Sequence, residues 1–90
     1  MKNDLLKFLK QEIVLDTRSS WVYTGVLEEV TDSSAVLSGV DVHDNKDTAT
    51  TKELYILQTR TTGIKFNRRS VYVNLDYIVS FSRLEDVIQF

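Results

Sequence analysis

The sequence predicts a mainly β protein in which one N-terminal α-helix precedes five or six short antiparallel strands curled into a small, strongly bent barrel. Three observations predict it. An amphipathic helical stripe opens the chain, runs of β-branched and aromatic residues separated by polar turns fill most of the rest, and proline is absent, so no run is demoted on that account.

The elements follow in order. Asn3 is the expected N-cap of a helix over residues 1–11, in which Leu5, Leu6, Phe8 and Leu9 recur at three-to-four spacing. Three turns of helix do not persist alone, so this one must lie on an apolar surface. Ile13-Val14-Leu15, a polar turn over residues 16–20, the long run "WVYTGVLEEV", the turn Thr31-Asp32-Ser33-Ser34 and a run ending at Val42 read as sequential antiparallel strands. Residues 43–52, with "DNKDTATTK", read as a flexible loop. β pattern then returns in "ELYILQT", "GIKF", "VYVNL" and "YIVSFS". Ser82-Arg83-Leu84-Glu85 has capping-box spacing, and the end of the chain reads equally as a short helical turn or an extended tail. An OB-type barrel is the alternative architecture, although its helix usually falls between strands.

A chain of 90 residues forms one domain with a modest core, and a partner subunit would supplement it. With 11 Lys+Arg against 13 Asp+Glu, the chain cannot grip nucleic acid by bulk positive field, so any anion site must be local. Cysteine is absent, which removes disulfides and thiolate metal sites and fits a reducing compartment. Charges interrupt the N-terminal apolar residues far below the length of a membrane span. The expectation is a soluble cytoplasmic protein.

Gly25 stands in the middle of the long second strand, where glycine packs nothing. Strict alternation places Trp21, Tyr23, Gly25 and Leu27 on one face, and continued further it would bury Glu29 and expose Val30. Turning both Leu27 and Val30 inward requires a slip in parity at Glu28-Glu29, which is a β-bulge. A strand that coils there brings its neighbour close to the place of a Cβ at residue 25, so the glycine has a mechanical reason.

The segment "GVLEEVTDSSAVL" behind an N-terminal helix resembles the first motif of the Sm/LSm family, Hfq-like proteins included, and "VYVNLDYIVSFS" is similar to its second motif. The resemblance runs from Lys2 to about Ser82. It implies a five-stranded antiparallel open barrel of SH3 type over residues 1–90, with 43–66 as the family's variable loop and flanking strands, and Gly25, Leu27 and Val30 as residues that determine the fold. It also implies a ring of about five to seven copies and binding of single-stranded RNA. The short chain, absent cysteine and altered motifs suit a viral or metagenomic representative.

The binding motifs depart from the family's pattern. Thr31 stands at the usual Asp position with Asp32 one residue late, and Ala35 stands at the usual Asn. At the second step Asn74 and Leu75 replace the customary Arg or Tyr and Gly or Lys, and Asp76 alone fits. Uridine-specific recognition therefore does not carry over. The candidate RNA contacts are Thr31, Asp32, Ser33 and Ser34, then Asn74, Asp76 and Tyr77, with Arg68 and Arg69 in a polar turn as phosphate contacts.

Other features carry less. Asp41, His43 and Asp44 in "DVHD" have metal-ligand chemistry, but a lone histidine beside loop acids is usually solvated. Arg60, Lys65, Arg68 and Arg69 form a basic cluster that also reads as edge-strand protection. Trp21, Tyr23, Tyr55 and Tyr72 have the chemistry to stack on bases, yet aromatic residues at strand spacing more often pack. One histidine, no cysteine and no glycine-rich phosphate loop leave no nucleophile with a base, and no cofactor or enzymatic activity is implied. The expectation is an Sm-like ring subunit that binds single-stranded RNA with low specificity. The alternative is an oligomeric adaptor that has lost RNA binding and holds a protein through its rim or the tail "LEDVIQF".

Overall fold

A computed structural model describes residues 1–47 and 51–88. Five strands, β1 (Glu12–Thr17), β2 (Trp21–Val30), β3 (Ser34–Asp44), β4 (Arg68–Asn74) and β5 (Ile78–Arg83), form one antiparallel sheet in the order β4-β3-β2-β1-β5. Val73 of β4 and Ile78 of β5 enter the same buried cluster as Ile13, Leu15, Leu27, Ala35, Leu37 and Val40. Four strand spacings of about 4.8 Å would hold the outer strands roughly 19 Å apart in a flat sheet. The sheet therefore curls around one core.

Two irregularities make that curl possible. Leu27 pairs with Leu37 while Glu29 pairs with Val36, so Glu28 is an extra residue. The slip turns Leu27 and Val30 into the core and leaves Glu29 in solvent, as the hydrophobic pattern requires. A second bulge faces Gly25: Thr24 pairs with Asp41 and Val26 with Ser38, so β3 carries an additional residue there, and Gly39 takes φ +55°. Glycine is favoured at that bulge because other residues resist the left-handed conformation.

The N-terminal helix is shorter than its apolar stripe suggests. Helix α1 spans Lys2–Leu6, caps on Met1 without a side-chain bond, and gives way to turns that end at Lys10, where φ is +67°. The Lys10 N–H donates to the Leu27 carbonyl and the Leu27 N–H to the Gln11 carbonyl, so β2 captures the chain and stops the helix. Leu5 is buried, and Phe8 meets Phe81 edge to face at 5.8 Å, while Leu6 and Leu9 stay exposed.

The largest correction concerns residues 43–66. "ELYILQT" is not a strand but the first part of helix α2 (Lys52–Thr62), and "GIKF" is irregular chain leading into β4. The Thr51 hydroxyl caps the helix by accepting from Leu54 N at 3.2 Å, and Gly63 at φ +91° ends it. Thr59, Thr61 and Thr62 donate to the carbonyls four residues earlier, which satisfies hydroxyls in residues that otherwise favour strands. Ile56 packs with Val14, Val22 and Leu84 in a second cluster on the outer face of β1 and β2. That cover explains why Ile13, Val14 and Leu15 are all buried: β1 is apolar on both faces.

The expected flexible loop is also smaller. His43 and Asp44 end β3, Asn45–Asp47 form a 3-10 turn, and residues 48–50 lie outside the described residues. The tail forms a 3-10 turn at Leu84–Asp86 without the capping-box bond, and residues 89–90 of "LEDVIQF" lie outside the described residues.

Candidate nucleic-acid interface

The β2–β3 turn is built by Thr31. Its hydroxyl accepts from Ser34 N at 2.9 Å and from Ser33 N at 3.3 Å, and its N–H donates to the Ser34 carbonyl at 2.8 Å. This is an ST-turn, in which a side-chain oxygen replaces a backbone acceptor. The β4–β5 step is built in a similar way: Asn74 Oδ1 accepts from Asp76 N at 2.9 Å and caps a 3-10 turn over Leu75–Tyr77.

Backbone pairing joins the two turns. Ser34 lies opposite Asn74, and Leu75 N donates to the Ser33 carbonyl at 2.8 Å. Residues 31–34 and 74–76 thus form one edge of the molecule. Tyr77 leans away from it: its ring packs on the core, its carbonyl accepts from Arg18 N at 3.1 Å, and its hydroxyl bonds Ser19 Oγ. Burial, and secondarily the charge of Tyr77, push the Tyr23 hydroxyl above its ordinary pKa.

The charge on this edge is balanced. Asp32 and Asp76 are exposed acids; Lys2 reaches from α1 to Asp32 at 2.9 Å and holds that carboxyl below its usual range, and Arg18 stands behind Tyr77. The motifs gave no sign of Lys2 or Arg18, since neither lies in a turn that the resemblance marks.

Arg68 and Arg69 are elsewhere, and not in a polar turn. They are the first residues of β4, with Arg68 opposite Val40, six residues and roughly 20 Å along the strand from Asn74. The structure brings Thr31, Asp32, Ser33, Ser34, Asn74 and Asp76 together and leaves the arginines at the far end.

The "DVHD" residues anchor α2 to the sheet. His43 stacks on Tyr55 with ring centroids 3.6 Å apart, and Tyr55 donates its hydroxyl to Asp41. Burial first, then that bond, push the Tyr55 hydroxyl up to about 12. Asn67 also donates to Asp41, at 3.1 Å, while Asp44 accepts from Ser20 Oγ at 2.6 Å. These side chains meet partners on several elements rather than a common centre.

A short N-terminal helix, five antiparallel strands in this order and two turns joined across β3 and β4 define an Sm-like fold. The Sm protein of Pyrococcus abyssii, whose structure was solved in complex with a uridine heptamer, is similar over 90% of this chain and 93% of its own, with TM-score 0.62 and 8% sequence identity. A novel Sm-like archaeal protein from Pyrobaculum aerophilum is similar over 92% of this chain, with TM-score 0.58 and 21% identity. The chain spans 50% of that second protein's length. No family model and no curated protein matches the chain in sequence.

Proposed function

We propose that this protein is a non-enzymatic Sm-like subunit that closes into a homo-oligomeric ring and binds single-stranded RNA with low sequence specificity. The observation that carries the RNA reading is the junction of residues 31–34 with residues 74–76, because it gathers backbone and small polar groups on one edge. The likeness to a protein solved with a uridine heptamer supports it. Low specificity follows from the side chains: Thr31 and Asn74 spend their oxygens on their own turns, and Ala35 has no polar group with which to read a base.

The open edges support the ring. β4 and β5 each have one unpaired side, with Tyr72 68% and Val79 63% exposed on them. Unpaired strands of this kind are templates for another chain, and pairing β4 of one copy with β5 of the next consumes both.

Fluorescence titration of labelled oligo-uridine and oligo-adenine tests the RNA reading. Weak binding of similar strength for both, decreasing as salt rises, is expected. Absence of binding at low salt would overturn it, and the balanced charge around Asp32 and Asp76 then favours the adaptor, whose partner is a protein.

A further inference from the structure

The two open edges carry opposite charge at matching ends, and from this we infer that Arg68 and Arg69 orient one copy of the chain against the next by facing Glu85 and Asp86 of its β5 end. The inference rests on the reading that copies pair edge to edge, and it adds which way round they pair.

The β4 edge begins with Lys65, Arg68 and Arg69, all exposed, against one nearby acid, Asp41, and it runs out at the exposed Asp76. That edge is positive at its start and negative at its end. The β5 edge has the reverse polarity. Its start lies beside Arg18, whose N–H is bonded to Tyr77. Its end runs into Glu85 and Asp86, close to Glu12, with only Arg60 and Arg83 to offset three carboxylates.

Gln11, Glu12 and Glu85 line a cavity of about 300 Å³ at that end, ample room for a guanidinium group. Arg83 already binds Glu85 at 3.2 Å and Asp86 at 2.9 Å, so one cation is shared between two acids. Each acid keeps acceptor capacity for a further donor, because an ionised carboxylate has several lone pairs.

Charge then selects orientation. In antiparallel pairing, the arginines of β4 meet the acidic end of β5 while Asp76 meets Arg18. In parallel pairing, arginines would meet Arg18 and Asp76 would meet Glu85 and Asp86, placing like charge against like at both ends. Exposed ion pairs add little affinity, but like-charge contacts exclude wrong arrangements, so orientation and register are where the effect lies.

Light scattering on the full chain, over a dilution series at low and high salt, tests this. Arg68→Glu with Arg69→Glu should raise the concentration needed for assembly by about tenfold or more at low salt, and Glu85→Lys with Asp86→Lys should do the same. Exchanging all four residues in one chain should restore assembly. The milder Arg68→Ala with Arg69→Ala should weaken assembly and flatten its salt dependence, which keeps the test open if a charge reversal fails to fold. Variants that assemble like the parent chain at low salt would overturn the orienting role while leaving edge pairing intact. A parent chain that stays monomeric would overturn edge pairing itself, and this inference with it.

Discussion

Gly25→Val is expected to destabilise the protein by about 2–3 kcal/mol, more than the roughly 1 kcal/mol that separates residues on strand propensity and in the direction opposite to it. A Cβ at residue 25 would lie 3.1 Å from the Ser38 carbonyl oxygen, 3.2 Å from Val40 Cγ2 and 3.4 Å from Val40 Cα. Two of those three atoms are backbone and cannot swing aside. Valine adds two further methyl groups beside β3 where its bulge at Gly39 brings the chain in, so β2 and β3 must separate at their tightest point. Urea unfolding measures the loss; an unchanged midpoint would mean that the strands do not approach as closely as these distances require.

Leu27→Ala should cost about 3 kcal/mol, within the range for deleting a fully buried leucine, whereas Glu29→Ala should change stability by less than about 0.5 kcal/mol. The two residues share a face under strict alternation, and only the extra residue at Glu28 separates them. Leu27 is 0% exposed and lies at the centre of the inner cluster; Glu29 is in solvent. Comparable losses at both positions would remove the bulge from the account. The contrast is therefore a direct reading of the slip in solution.

The same residues show what the sequence could reveal. A period of two with one break is a strong signal, so β1, β2, β3 and the two edge strands were legible, and the break at Glu28 located the bulge. Gly25 was legible for a related reason, since a strand-interior glycine points to a close neighbour. Helix α2 was not. Four consecutive apolar residues, Leu54 to Leu57, fit either period, and the three threonines favour strand until their hydroxyls bond back into the helix. Thr51 and Gly63, eleven residues of helix apart, were the available signal, but a polar loop around Thr51 masked the cap.

The candidate interface was legible in part. Turn chemistry and the order of the strands were enough to join residues 31–34 with residues 74–76. Proximity in sequence misled at Arg68 and Arg69, because an extended strand carries them roughly 20 Å from its other end. Lys2 was missed because its partner Asp32 is 30 positions away and only the docking of α1 brings them together.

The most direct test of the central claim is the mass of the assembled protein. Native mass spectrometry at micromolar concentration is expected to give one closed species of about five to seven copies, because pairing β4 with β5 around a ring leaves no free edge. A monomer under those conditions, with both edges stable in isolation, would contradict the account.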